Sequence, residues 1–393
     1  MENRLSARGA SGGKICLINN LYKPFNRGGA EKITETIARG LEAAGHQVFI
    51  ITTRPYGGKS LTAPSGPKDE PRIYYFNSLY YNLGKLPKLF RFFWHIWNMF
   101  NLPSYFKIKR ILKKEKCQAV ISNNLMGIGY LTDLAIRKLK LKQIHIVHDI
   151  QLIHPSGLLL FGQENTINDQ WSRNYAGICS RLFASPKIVI FPSRWLMNRY
   201  LDKIFFIKSK RIVLANPVAS NEAVVPKKIE ANFKFLYLGQ IEEHKGLSLL
   251  IQAFKKVKEK FPQAELVIAG QGSALERSRL EAGQNESIKF LGRQNETEAN
   301  SLLNTCACLV LPTLCYENCP AVILEAFSAG LPVIAADLGG ISELIGPPAG
   351  AAGETAGILF RPGNAADLAD KMARAMENKN ALAEMAKAGR YKA

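Results

Sequence analysis

The sequence of 393 residues contains no run of 18 apolar residues free of charge, so no transmembrane helix is expected. Met1 to Gly13 carry Arg4 and Arg8 but no apolar stretch. They therefore make no signal peptide and are expected to form a disordered tail. Cysteine is sparse and odd in number, at positions 16, 117, 179, 306, 308, 315 and 319. Such a set suits a reducing cytosol better than a secreted disulfide framework, and a cytoplasmic protein is expected. Four of the seven lie between Cys306 and Cys319, yet no histidine follows Cys319. Zinc favours short paired spacings with a second pair or histidines further on, so no metal site is expected. Cys306 and Cys308 instead read as small buried residues beside Leu309-Val310-Leu311.

Acidic residues are scarce in one half only. Residues 1–215 hold 33 Lys and Arg against 12 Asp and Glu, whereas residues 216–393 hold 19 against 20. The net charge of +20 therefore belongs to the first half. It serves either bare solubility or a surface that meets anionic lipid or nucleic acid.

What is present is a repeated alternation of apolar strands and amphipathic helices, over a length that favours two domains. Strands are predicted at 14–20, 47–53, 73–76, 118–122, 143–147 and 187–191, with a Pro/Gly/Ser-rich loop at 54–72. A second series follows at 233–238, 265–269, 288–291, 308–311 and 332–335. Helices are predicted at 245–261, 273–283, 295–304, 320–330 and from about Asn364. The alternation implies an α/β fold of two doubly wound Rossmann-like domains, with parallel sheets facing across a cleft. The first domain is expected at 14–215, a linker at 216–232, and the second domain at 233–393.

Residues 83–116 break this rhythm. Arg91, His95 and Asn98 form a narrow polar stripe on an otherwise apolar helix, and six basic residues from Lys107 to Lys116 follow. One reading is an ordinary core helix and a solvated basic helix. The other is an interfacial element, with aromatics in the headgroup layer and lysines on anionic lipid. Nucleic acid fits less well, because the aromatics are clustered rather than interleaved with the basic residues.

The chemistry concentrates in Tyr316-Glu317-Asn318-Cys319-Pro320-Ala321-Val322-Ile323-Leu324-Glu325. Pro320 suits the first position of a helix running to about Gly330. The unpaired N–H groups at that helix start, around Ala321 and Val322, would attract an anion such as a diphosphate. Glu317 would stand just before them and Glu325 one to two turns in. Carboxylates beside an anion site suit sugar hydroxyls, since they accept several hydrogen bonds. Gly28-Gly29 sits after the first strand and opens a helix, where backbone can approach a phosphate. Gly239-Gln240-Ile241-Glu242-Glu243-His244-Lys245-Gly246 follows the first strand of the second half, placing Lys245 at a strand–helix junction.

Together these motifs, with Glu325 to Ile334 and Gly339-Gly340-Ile341-Ser342-Glu343, resemble the retaining glycosyltransferases of family 4, which have the GT-B fold. The resemblance covers nearly the whole chain. It implies a nucleoside diphosphate sugar held by the second domain and an acceptor by the first, with no metal cofactor. Glu317 would contact the donor sugar, Glu325 the ribose, and Lys245 the diphosphate. Asn318, Ala321, Val322, Gly28 and Gly29 would complete the donor site. The family's sugar-contacting histidine matches His148, with His145 and His154 nearby. Retention is expected to proceed by front-face attack, without an enzymic nucleophile. Where the family pattern usually has an arginine, this chain has Gln240. The chain ends at Ala393 after one predicted helix, where relatives commonly continue, so it reads either as a truncated or as a shortened form.

The expected function is a retaining hexosyltransferase acting on a lipid-linked or cell-envelope glycan hydroxyl. Its expected place is the cytoplasm, peripheral at the inner face of the membrane, with no nucleic-acid partner. A catalytically weak glycan-binding or scaffold protein, or a nucleotide-sugar isomerase, are the alternatives.

Overall fold

The computed structural model describes residues 12–25, 29–56, 71–218, 233–346 and 355–393. The expected tail up to residue 11, Gly28, residues 57–70 of the Pro/Gly-rich loop and residues 219–232 of the expected linker lie outside the described residues. The chain divides into two compact units. The first holds Met1–His148, Asn174–Phe191 and Tyr200–Ile212; the second holds Asp149–Arg173, Pro192–Arg199 and Val213–Ala393.

The first unit is built on strands β1 (Lys14–Ile18), β2 (Gln47–Pro55), β3 (Arg72–Ser78), β4 (Ala119–Ser122), β5 (Lys142–Ile146), β6 (Ile188–Phe191) and β7 (Lys210–Val213). They form one sheet in the order β3-β2-β1-β4-β5-β6-β7, parallel at every pairing from β3 to β6. Leu17, Ile50, Ile121 and Ile146 alternate onto a face shared with Tyr22 and Ala38. Helices α1 (Gly29–Ala43), α2 (Lys88–Met99), α3 (Leu102–Lys114), α4 (Leu131–Lys138), α5 (Gln170–Phe183) and α6 (Arg194–Asp202) connect the strands. The first residues of α5 and α6 belong to the second unit.

Helix α2 is not the core helix that its composition would suit. Its buried side carries Trp94, Asn98 and Met99. The polar stripe points into the protein: Asn98 Oδ1 accepts from Gly127 N at 2.8 Å, and Arg91 donates to the carbonyls of Leu86 and Gly84 at 2.6 and 2.7 Å. Leu89, Phe90, Phe93, Trp97 and Phe100 point outward instead.

The second unit contains β8 (Lys234–Leu238), β9 (Glu265–Ala269), β10 (Ile288–Gly292), β11 (Cys308–Leu311), β12 (Val333–Ala336) and β13 (Gly357–Phe360). Their order is β10-β9-β8-β11-β12-β13, parallel throughout. Strand alternation divides the apolar residues between two cores. Phe235, Ile268, Val310 and Ile334 pack on α7 (Leu247–Lys260) and α12 (Ala365–Glu377). Leu236, Val267, Leu309 and Val333 pack on α10 (Ala321–Ser328) and α11 (Ile341–Ile345). Helices α8 (Leu275–Ala282) and α9 (Glu296–Thr305) complete the layers.

The structure adds β7, β13, the short helix α11 and a second C-terminal helix, α13 (Lys379–Lys392), to the predicted elements. Asn378 ends α12, and its side chain caps α13 by accepting from Ala381 N at 2.9 Å. A single predicted helix is thus two.

Candidate active site

In the second unit the chain winds outward from the adjacent strands β8 and β11, to β9 and β10 on one side and to β12 and β13 on the other. Loops leaving the carboxyl ends of such a pair diverge and make room for a ligand. Lys245 arrives from β8 and Glu317 from β11.

After β8 the chain makes a 3-10 turn over Glu243–Lys245 and enters α7 through Gly246. The Tyr237 hydroxyl donates to Gln240 O at 2.5 Å, and Leu314 N donates to His244 O at 2.8 Å, which ties this loop to the one after β11. Lys245 Nζ meets Glu317 Oε1 at 2.5 Å, with the side chains 21% and 20% exposed. Burial pulls the Lys245 ammonium down. The Glu317 carboxylate, aided by Cys315 and Glu242, outweighs it and leaves the pKa above its ordinary value. Burial and the Glu317 charge push the Cys315 thiol up to about 12. It stays protonated and donates to Glu317 Oε1 at 3.5 Å.

The loop carrying Glu317 is held from two sides. Leu160 forms an antiparallel bridge with Cys315, Phe161 N donates to Leu314 O at 2.9 Å, and Tyr316 N donates to Leu159 O at 2.9 Å. The Tyr316 ring stacks on Trp195 at 5.4 Å and 8°, and its hydroxyl donates to Glu164 at 2.9 Å. On the other side Gly340 N donates to Glu317 O at 2.7 Å. A Cβ on Gly340 would stand 1.9 Å from Asn318 O, and one on Gly339, where φ is +65°, would stand 2.4 Å from Glu317 O. Only glycine fits at either position. Glu343 then accepts from Arg194 N at 2.7 Å and Trp195 N at 2.6 Å, a carboxylate at the start of α6.

Helix α10 starts at Ala321, one residue after Pro320, so the proline is its cap residue and not its first helical residue. Ala321 and Val322 present first-turn N–H groups that no residue of the helix can accept. Glu325 is half-buried, just over one turn in. The structure thus joins Lys245 to Glu317 directly and puts Asn318, Ala321, Val322 and Glu325 on the following segment. Gln240 is exposed, five residues before Lys245.

In the first unit, His148 follows β5, and its Nε2 lies 2.9 Å from Asn123 Oδ1. Burial lowers its pKa to about 4, so the imidazole is neutral at physiological pH. His145 is enclosed in the core against Phe183 and Phe206, with Nδ1 on Ser122 Oγ at 3.0 Å. His154 lies in the second unit and bonds Ser156 Oγ at 2.7 Å. Gly29 is the exposed first residue of α1.

Several supports escape sequence reasoning: Asn123, Trp195, Glu164 and the segment 159–161. A Gly270-Gln271-Gly272 signal was available. A Cβ on Gly270 or Gly272 would meet Gly239 O at 1.8 Å or Ile241 O at 2.1 Å, so the loop after β9 packs directly on the Gln240 loop. Among the described residues no group of three or more His, Cys, Asp or Glu side chains could hold a metal ion.

Two doubly wound parallel sheets, with these motifs at the strand ends, define a glycosyltransferase of the GT-B fold. Residues 27–221 match the family model for Glycosyltransferase Family 4, and residues 220–392 match that for Glycosyl transferases group 1. The chain belongs to this family. It is 25% identical over 336 residues to an uncharacterized 42.6 kDa protein in the cps region of Klebsiella pneumoniae, covering 84% of this chain and 87% of that one. A phosphatidyl-myo-inositol mannosyltransferase of Mycobacterium leprae is 31% identical over 144 residues, covering 36% of this chain and 37% of the enzyme. Anabaena HepE, solved with UDP-glucose, superposes with a TM-score of 0.68 at 17% identity, covering 96% of this chain and 93% of its own.

Proposed function

We propose that the protein is a retaining hexosyltransferase, moving a sugar from a nucleoside diphosphate donor to a hydroxyl of a lipid-linked or cell-envelope glycan. The ion pair of Lys245 and Glu317, set beside the start of α10, carries this reading. Transfer requires the charge that develops on the leaving diphosphate to meet fixed donors. Lys245 keeps its proton at neutral pH and supplies one cation. The N–H groups of Ala321 and Val322 supply further donors, with Gly28 and Gly29 assigned to the same phosphates by the family pattern.

Glu317 has two tasks that succeed each other. Before binding, it holds the Lys245 ammonium; with donor present, its carboxylate accepts from sugar hydroxyls while Lys245 turns to phosphate. Glu325 takes the ribose, Asn318 and Gln240 flank the diphosphate, and His148 acts as a neutral hydrogen-bonding group toward the sugar. Front-face attack assisted by the leaving phosphate needs no enzymic nucleophile, and no metal or other cofactor is assigned. HepE was solved with a nucleotide sugar, and the mannosyltransferase is named for a lipid acceptor. Both support the donor and acceptor classes. A lipid-linked acceptor would bring the protein to the inner face of the cytoplasmic membrane.

The test is incubation with a panel of nucleotide sugars and lipid-linked acceptors, following nucleotide release. Acceptor-dependent release that Glu317→Gln abolishes, with nucleotide binding retained, supports the reading. Turnover unchanged in Glu317→Gln removes the donor-sugar role. Binding without turnover in the unsubstituted protein would instead mark a glycan-binding scaffold.

A further inference from the structure

The outward face of α2 has no place in the transfer reaction. Leu89, Phe90, Phe93, Trp97 and Phe100 are each at least 50% exposed. Positions 90, 93, 97 and 100 recur at helical spacing, so they line one stripe. That spacing ordinarily faces a core. Here the stripe faces out, because the polar side chains Arg91 and Asn98 bond inward and Trp94 stacks on Tyr80 at 6.3 Å. The stripe continues past Asn101, which caps α3 by accepting from Ser104 N at 3.0 Å. Leu102 and Phe106 on α3 are 56% and 64% exposed.

Charge identifies what covers this face. Residues 71–132 hold ten Lys and Arg and one acidic residue, Glu115. Its carboxylate is 5% exposed and is paired with Lys14 and with Arg72. Neither α2 nor α3 carries an acidic residue, and α3 carries five lysines and arginines. On α3, Arg110 and Lys113 follow Phe106 by four and seven residues on the same side. At 1.5 Å per residue they stand about 6 and 10 Å further along the axis. These cations lie beside the apolar edge of α3, as on an interfacial element that sets aromatics in the acyl boundary and basic residues on headgroups.

We infer that the α2–α3 face is a preformed docking surface for an anionic lipid bilayer, with the aromatics of α2 in the acyl boundary and Arg110, Lys113 and Lys114 on lipid phosphates. This deepens the acceptor reading by naming the surface that delivers a lipid-linked substrate. It is measured without donor or acceptor, so its failure would leave the transferase reading standing, and the reverse also holds. Both helices are already formed, so docking orders no new segment.

The experiment is sedimentation of the full chain with vesicles of phosphatidylcholine, alone or with roughly a third phosphatidylglycerol. Binding should favour the anionic vesicles and weaken with salt. Arg110→Gln/Lys113→Gln/Lys114→Gln should lower partitioning to anionic vesicles by roughly a hundredfold. Phe90→Ser/Phe93→Ser/Trp97→Ser should lower it by at least about tenfold on removing apolar contact. Far-ultraviolet circular dichroism should be unchanged in these variants and on adding vesicles, since the replaced side chains are exposed. Brominated lipid should quench the unsubstituted protein more than Trp97→Phe. Equal vesicle binding by all variants overturns the proposal. So does a concentration-dependent dimer that binds no vesicles and dissociates in the triple serine variant, which would make the face a subunit contact.

Discussion

Gln240 stands where the resemblance to family 4 leads one to expect an arginine. A hydrogen bond to a charged partner contributes about 1.5–3 kcal/mol, against roughly 1 for a neutral donor. Under the proposed transfer reaction, replacing it with arginine would add a second cation to the Lys245 side of the site. Gln240→Arg is therefore expected to raise kcat/KM by roughly 1 kcal/mol, about fivefold, measured as nucleoside diphosphate release. A drop in activity would mean that the amide has its own partner in the bound state. The side chain is exposed, so the change should leave the melting temperature unaltered. Lys245 behaves differently. It is mostly buried against Glu317, and Lys245→Met should cost about 1–3 kcal/mol of stability by leaving that carboxylate without its partner. Chemical denaturation reads this loss directly; stability equal to that of the parent would show that the pair contributes nothing to the fold.

At the scale of elements, the loop after β11 depends on the turn after β12. Gly340→Ala would force Asn318 O to retreat and would shift Glu317 with it. Misplacement by about 1 Å can cost about a hundredfold in rate. Gly340→Ala should therefore reduce kcat/KM by about that factor, while nucleotide affinity, read calorimetrically, falls less. Equal losses in both would point to general unfolding of the loop. This dependence also shows what sequence can carry. Lys245, Glu317 and the start of α10 are legible because local motifs encode them. Strands β9 and β11 match their predicted bounds because turn residues close short apolar runs on both sides. Strand β7, Lys-Arg-Ile-Val, has no apolar alternation to read, and Asn378 hides a helix break inside a polar stretch. Trp195 and Leu160 act on the Glu317 loop from more than a hundred residues away, and no local pattern encodes such a contact.

For the whole molecule, the division into units matters more than the count of sheets. The backbone passes from one unit to the other after His148, Arg173, Phe191, Arg199 and Ile212. The second unit is therefore incomplete when built from residues 213–393 alone. It would lose the bonds of Leu159, Phe161 and Glu164 to the loop after β11, and those of Arg194 and Trp195 to Glu343. Five hydrogen bonds at about 1 kcal/mol each correspond to a fall of about 10–20 °C in melting temperature. A fragment of residues 213–393 should melt lower by that margin than the corresponding transition of the full chain, as scanning calorimetry can measure; coincident melting would show that the borrowed segments are ornamental.

The same interlacing sets terms for building chimeras. A C-terminal half grafted from a relative at the stretch near residue 216 would replace the Tyr316 that stacks on Trp195 and the Cys315 that bridges to Leu160, leaving both resident partners behind. Exchange of donor halves by recombination thus calls for five crossover points chosen together, with residues 149–173 and 192–199 travelling as passengers of the C-terminal part.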